Sequence, residues 1–387
     1  MSPIGSKPLL PPKELLNCDC RSYLYTGAHS PALRSVFAAM TWAYETKSTG
    51  PAGRKELFAT EGKARESIGR LLDQPASNVA LVGDASTAWS AIANGWVWKP
   101  GDNVVANEYE HPSVYAPWLR FKDQGLEVRI ARKKPDWTLP VEAIEEQCDE
   151  NTTAILLSHV GYVTGYRHDL KAVGDMAARR GIPLLLDISH SLGVIPIDLE
   201  YCSIAVSASY KWTLGPYGVG IVAWNRDRLQ DFRPGVVGWR SAPDIFLDDR
   251  FETIHLSEDA RRFQAGAPAL SDIAGLKAAA DTVLAIGLPQ AAEHARVLSG
   301  LAHDRLSELG LTVVTPRNDD QRAGNLAFLH QDGEGFADRL ARDGIFVWGG
   351  DGRVRASFHV MNSVSDVDIL VDAVTDVLEE MPAAVRA

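Results

Sequence analysis

The sequence predicts an α/β fold, with a mainly parallel, seven-stranded-type sheet between helices and a smaller α+β domain after it. Three observations carry this. Short apolar runs alternate with stretches of helical period between Val79 and Trp224, the pattern of strand–crossover–strand units. Some runs, Leu184-Leu185-Leu186 above all, are apolar at every position, as strands buried on both faces must be. From about Phe251 the character shifts to a charged stretch, Glu258 to Arg262, then to long helical segments and shorter strands.

The elements follow in order. Met1 to Leu16 carries prolines and no period, so residues 1–25 read as an arm that ends in a short strand near Ser22 to Tyr25. Pro31 to Lys47 has helical spacing in Leu33, Val36, Phe37 and Met40, and Ser48-Thr49-Gly50-Pro51 breaks it. Gly53 to Leu72 is a second amphipathic helix. Val79 to Val82 is a strand, followed by an apolar helix through Trp98. Further strands are expected at Asn103 to Ala106, Leu126 to Ile130, Thr153 to Leu157, Pro183 to Asp187, Ser203 to Ser207 and Ile221 to Trp224. Helices are expected from near Pro112, at 140–147 and at 169–180, so residues 26–260 form the large domain. In the small domain, 261–387, helices are expected at Leu270 to Ala285, Gln290 to Leu309 and Asp366 to Glu380. Ser365 and Asp368 open the last of these as a capping-box-like pair. Strand-like pieces lie at Thr312 to Val314, Asn325 to Leu329, Phe346 to Trp348 and Val354 to Phe358.

Composition excludes several roles. The 387 residues carry a net charge of −11, which disfavours binding to nucleic acid or to an anionic membrane. No apolar run approaches the roughly 20 residues of a membrane span, and Met1 to Pro12 lacks the apolar core of a secretory signal. Four cysteines without a CxxC pair suggest neither a disulfide framework nor a metal site. Reduced thiols in a cytoplasmic protein are the expectation. The run Gly215-Pro216-Tyr217-Gly218-Val219-Gly220 does not match the dinucleotide glycine pattern and precedes a strand.

Candidate chemistry gathers at strand ends, where open α/β sheets bind ligands. Asp187 terminates the most apolar strand, and a charge there is costly without a partner. Asp187 at a strand end and Lys211 on a later loop are what pyridoxal phosphate chemistry needs: an amine for the Schiff base and a carboxylate for the pyridine nitrogen. Asp187 as a helix N-cap and Lys211 as a solvated lysine are the plain alternatives. Gly83-Asp84-Ala85-Ser86-Thr87 follows a strand and opens a helix, which suits an anion, or equally an ordinary N-cap. His111 also lies at a strand end, where its flat ring suits a cofactor ring or a loop hydrogen bond.

Together these residues resemble the class V aminotransferase family, pyridoxal-phosphate enzymes of fold type I that include cysteine desulfurases, selenocysteine lyases and kynureninases. The resemblance runs from about Ser86 to Phe358. It implies that Ser86, Thr87 and the Ala85 backbone hold the cofactor phosphate, and that His111, in Glu110-His111 ahead of Pro117-Trp118, lies on the pyridine ring. It implies Asp187 at the ring nitrogen, His190 near the phenolic oxygen, Tyr210 near the phosphate and Lys211 as the Schiff-base lysine. Arg355 resembles the arginine that clamps a substrate α-carboxylate. Lys211, Asp187 and His111 are the implied catalytic residues, and the cofactor is pyridoxal 5'-phosphate.

The sequence also departs from the family pattern. Tyr162 replaces an asparagine beside the ring oxygen. Ala267 replaces a threonine that reaches the partner subunit's phosphate. Phe346 to Arg353 is short and has no cysteine where desulfurases carry a nucleophilic one. The resemblance then implies a homodimer acting on a small amino acid through an external aldimine. A lyase without a persulfide cysteine is the leading expectation. An aminotransferase, a kynureninase-like hydrolase and a non-catalytic binding subunit are the alternatives. Trp239, Arg240 and the Gly349–Gly352 loop are expected to shape the substrate pocket.

Overall fold

The computed structural model describes residues 4–381; residues 1–3 of the expected arm, and residues 382–387, lie outside them. The chain runs through β1 (Ser22–Tyr23), α1 (Arg34–Lys47), α2 (Pro51–Leu72), β2 (Val79–Val82), α3 (Ala85–Gly95), β3 (Asn103–Asn107), α4 (Pro112–Leu119) and β4 (Glu127–Ala131). It continues through α5 (Val141–Glu145), β5 (Thr152–Ser158), α6 (Leu170–Arg180), β6 (Leu184–Asp187), β7 (Ile204–Ala208), β8 (Gly220–Trp224), α7 (Leu270–Ile286) and α8 (Leu288–Glu308). It ends with β9 (Asn325–Leu329), α9 (Gly333–Arg342), β10 (Ile345–Phe346), β11 (Trp348–Gly350), β12 (Arg353–Ser357) and α10 (Val364–Glu380).

Seven strands form the central sheet in the order β2-β8-β7-β6-β5-β3-β4. The pairs from β7 to β4 are parallel. β8 is antiparallel to both its neighbours, because residues 209–219 are too few for the crossover that a parallel return requires. Successive side chains alternate between the faces. Leu184 and Leu186 join the core that includes Ile68, Val173 and Leu276, from α2, α6 and α7. Leu185 faces Trp89 and Trp118 of α3 and α4 in a second core. Each fully buried leucine contributes about 1.5–3 kcal/mol, and the apolar run is what burial on both faces demands.

β11, β12 and β9 form an antiparallel three-stranded sheet. One face, with Leu326, Phe328, Val354 and Ala356, packs on α8, α9 and α10 in a third core. β1 of the arm pairs in parallel with β10. α7 packs on α1 and α2, and we propose that the smaller structural unit begins in α8.

Several expected elements differ. α3 stops at Gly95 because residues 233–235 cross it there: a Cβ on Gly95 would lie 2.1 Å from the Arg233 carbonyl oxygen. Thr312 to Val314 makes only an isolated bridge, Val313 to Phe328. The ladder ends where Thr315 Oγ1 accepts the Ala327 N–H at 2.8 Å in place of a carbonyl. Phe346 to Trp348 is divided between β10 and β11, which pair with different strands. The capping box of α10 is Ser363 with Asp366, not Ser365 with Asp368. Here Ser363 N–H donates to Asp366 Oδ2 at 2.8 Å, and the helix starts at Val364, whose N–H bonds the Gly5 carbonyl.

Candidate active site

β5, β6 and β7 are parallel neighbours, so their carboxyl ends bring Ser158, Asp187 and the segment after Ala208 together. Asp187 is buried. Its Oδ1 accepts the Ser189 N–H at 2.8 Å and its Oδ2 accepts the Trp89 indole N–H at 3.3 Å. No helix follows it, so Asp187 caps nothing.

Lys211 is half-buried rather than solvated, and its Nζ lies 3.2 Å from His190 Nε2. Burial brings the amine down to about 8; Asp187 pulls it back up and Arg355 pushes it further down. The loop carrying Lys211 is pressed against Gly193, where a Cβ would meet the Trp212 carbonyl oxygen at 2.2 Å. Gly193 also has φ +101°, so only glycine fits without strain. Tyr210 stacks on Tyr217, with ring centroids 4.4 Å apart.

His190 has a defined tautomer. Trp212 Nε1–H, which can only donate, points at His190 Nδ1 from 3.4 Å. Asn325 Nδ2 lies 2.8 Å from the same nitrogen, and Ser357 Oγ donates to Asn325 Oδ1 at 2.8 Å, which orients the amide. Nδ1 therefore accepts, and the proton of the neutral ring sits on Nε2, facing Lys211. Burial, with the positive charges of Lys211 and Arg355, keeps the ring neutral.

His111 is the N-cap residue of α4. Its Nδ1 accepts the Ser113 N–H at 3.2 Å and lies 2.9 Å from Ser113 Oγ. Burial and Lys211 lower its pKa, and the Tyr162 ring meets it edge-on at 5.2 Å. The neighbouring Glu110 is buried and braced by Asn107 Nδ2, Ser158 Oγ and the Ser158 N–H. Burial pushes its carboxyl up to about 8 and the Ser158 bonds pull it down.

Ser113 links His111 to the start of α3 through Ser86 Oγ, 2.9 Å away. Asp84 caps α3, accepting the Thr87 N–H at 2.7 Å and the Thr87 hydroxyl at 2.6 Å. Ala85 opens the helix beside it, and the Ala85 and Ser86 amides stand in the positively polarised first turn. Ala267 and Thr87 line one cavity of about 340 Å³.

Arg355 is buried, not a surface residue, and its Nη1 donates to the Tyr162 carbonyl oxygen at 2.5 Å. Its Nε has no partner among the described residues. Burial and the charge of Arg353 bring it down to about 10. Lys211, Asp187, His111, His190, Tyr162 and Arg355 thus share one site, tied to Ser86 through Ser113. Arg240 serves elsewhere: it pairs with buried Glu61 at 2.8 Å and 3.1 Å and lies over the Phe58 ring. Trp239 lines cavities with Arg54 and Phe58. Of the Gly349–Gly352 loop, Gly349 and Gly350 belong to β11, and Asp351 and Gly352 make the turn of the β11–β12 hairpin.

Trp89, Ser113, Asn325, Ser357, Trp348 and Arg353 were not singled out from the sequence as site residues. Only Arg353, two positions before Arg355 on a strand, left a readable sign: side chains two apart share a face.

The profile of the family described as "Aminotransferase class-V" matches residues 22–370. A probable cysteine desulfurase of Pyrococcus abyssi is 26% identical over 347 residues, covering 84% of each chain. A cysteine desulfurase of Escherichia coli is 29% identical over 323 residues, covering 80% of this chain and 73% of that one. Two solved structures share the fold. The apo cysteine desulfurase of Thermococcus onnurineus NA1 superposes with a TM-score of 0.83 at 23% identity, over 93% of this chain and 95% of that one. The cystine C-S lyase C-DES, in complex with its reaction product cysteine persulfide, gives 0.84 at 20% identity, over 92% and 97%.

Proposed function

From the premise that the chain belongs to the aminotransferase class-V family, we propose that it is a carbon–sulfur lyase acting on a small α-amino acid. In this reading it uses pyridoxal 5'-phosphate and carries no sulfur on a cysteine of the β11–β12 hairpin. As a member of the family it is a pyridoxal-phosphate-dependent enzyme.

The residues present fit the cofactor. Lys211 offers a half-buried amine brought down to about 8, and Asp187 a buried carboxylate at the end of β6. Lys211 would hold the aldehyde carbon, and Asp187 the ring nitrogen. His111 would contact the ring, and His190 and Tyr162 would serve its phenolic oxygen. Ala85, Ser86, Thr87, Tyr210 and the Ala267 backbone would hold the phosphate. When bound, the cofactor supplies an electron-accepting ring that acidifies the substrate's α-carbon.

The chain's own groups do the rest. Asp187 would keep a proton on the pyridine nitrogen through its negative charge. Lys211 Nζ, neutral above about pH 8, takes the α-proton. His190 keeps Nε2–H turned to the site and stays neutral beside the amine. Arg355 holds the α-carboxylate through its unpartnered Nε edge, which suits a planar anion.

The carrying observation is the half-buried Lys211 on the loop after β7, its amine within the field of Asp187 at the end of β6. The choice of a lyase is supported by the cysteine desulfurase relatives. Absence of a persulfide carrier is supported by the hairpin, which reads Trp348-Gly349-Gly350-Asp351-Gly352-Arg353. Cys148 and Cys202 are buried, and burial pushes the Cys148 thiol up to about 11 and the Cys202 thiol higher still.

A homodimer belongs to the proposal, supported by Phe246 and Phe251, 78% and 88% exposed. A reducing, cytoplasmic setting is supported by the four free thiols. No helix among the described residues is long and apolar enough to cross a membrane.

The test is incubation of the loaded protein with cysteine and with cystine. Pyruvate with sulfide or persulfide is expected. Keto-acid-dependent amino transfer without pyruvate would overturn the lyase reading. Borohydride reduction should fix the cofactor to the peptide containing Lys211, and Lys211→Ala should leave the protein colourless.

A further inference from the structure

β12 carries a second arginine toward the same site. Arg353 and Arg355 are two residues apart on one strand, so both side chains leave the same face. The opposite face, Val354 and Ala356, is buried in the apolar core. Two residues along a strand span about 6.6 Å.

Both guanidinium groups lie over one indole, that of Trp348, at 4.8 Å for Arg353 and 5.2 Å for Arg355. Arg353 also lies 5.6 Å from the Tyr162 ring, and Tyr162 receives the Nη1 bond of Arg355 through its carbonyl. Both arginines are at most 5% exposed, and the Nε of each is buried without a partner among the described residues. The acid near Arg353 is Asp351, 3.3 Å away with its side chain 69% exposed, and so exposed a pair contributes little. Arg355 has no salt bridge among the described residues. Two like charges are therefore buried on one aromatic plate with unfilled donors.

The geometry points to a substrate with two anionic ends: an α-amino acid whose side-chain sulfur bears a carboxylate. Its α-carboxylate sits on Arg355 and its distal carboxylate on Arg353. Five bonds between the two carboxyl carbons, as in S-carboxymethylcysteine, match the spacing along β12. The step balances on the lyase reading, on which this inference rests. The α C–H and Cβ–S bonds break, Lys211 takes the proton, and sulfur leaves with the bonding pair as a thiolate. Water then converts the three-carbon remainder to pyruvate and ammonium.

The test compares S-carboxymethylcysteine with its neutral isostere S-carbamoylmethylcysteine on the full-length, cofactor-loaded protein. Calorimetric affinity and release of thiol and pyruvate are measured for both. The acid should bind at least about tenfold more tightly, the scale of a charge-assisted hydrogen bond. Arg353→Met should erase that preference, and Arg353→Lys should retain part of it. Equal affinity for acid and amide in the unaltered protein overturns the inference, even if Arg353→Met does not fold. So does a preference that survives in a folded Arg353→Met variant. Tight, Arg353-dependent binding of the acid without thiol release would instead sustain the two-anion pocket and overturn the lyase reading.

Discussion

Lys211 Nζ and His190 Nε2 face each other at 3.2 Å, and the other nitrogen of the imidazole accepts from Trp212 and Asn325. A ring that presents N–H to an amine needs that amine's lone pair, so the contact favours neutral Lys211. Burial acts in the same direction, bringing the amine down to about 8. Uptake of pyridoxal phosphate by the apoprotein should accelerate as pH rises through about 8. Arg355→Met removes a like charge and should move that midpoint up; Asp187→Asn should move it down. Stopped-flow absorbance across pH 6–10 measures all three. A midpoint that stays near the ordinary lysine value would contradict the contact.

The same burial bears on stability. Lys211 titrates lower in the fold than in the unfolded chain, so between about 8 and 10.5 the unfolded state holds more protons. Stability contributed by this group therefore rises with pH across that window, and the full penalty applies below it. Lys211→Met should stabilise the apoprotein by about 2–3 kcal/mol at pH 7, and the gain should fade above pH 10.5. Urea unfolding at the two pH values checks this.

Asn325 positions His190 from the small sheet. Asn325→Ala leaves Nδ1 with only the longer Trp212 bond, and should lower kcat by about tenfold, the worth of one buried hydrogen bond. A positioning role is read from the pH profile, whose basic limb should broaden, with KM nearly unchanged.

Glu61 and Arg240 form a buried ion pair, and Gln264 also donates to Glu61. Glu61→Gln should cost about 3–5 kcal/mol, because it strands a buried guanidinium. Adding Arg240→Met should recover much of that loss. A double-mutant cycle by chemical denaturation measures the coupling.

Phe246 and Phe251 stand on a segment with Val236, Val237, Trp239 and Leu247, all exposed in one chain. Phe251→Asp together with Phe246→Asp should shift the protein to monomer in sedimentation velocity. The unaltered protein should sediment as a dimer.

Much of the sheet was legible because apolar runs such as Leu184–Leu186 and Ile221–Trp224 report burial on both faces. Asp187 was legible because it interrupts such a pattern at a strand end, and Lys211 because it stands on the loop after the next strand. The direction of β8 was not, since periodicity says nothing about polarity. Trp89 and Asp187 are 98 residues apart, and Asn325 and His190 are 135 apart. Such partners are chosen by packing across the fold, which no local spacing reveals. Arg240 read as a pocket residue for the same reason: its partner, Glu61, lies on a helix far earlier in the chain.

The parallel pairing of Ser22 with Ile345 and Tyr23 with Phe346 orders events on the ribosome. At roughly 5–20 residues per second, the leading strand waits about 16–65 s after emerging before its mate has been synthesised. Meanwhile Ser22 lacks Asp366, and the Tyr23 carbonyl lacks Asn362. The arm must stay unpaired while the central sheet assembles beside it, so translation speed and nascent-chain chaperones bear most heavily on the first two dozen residues.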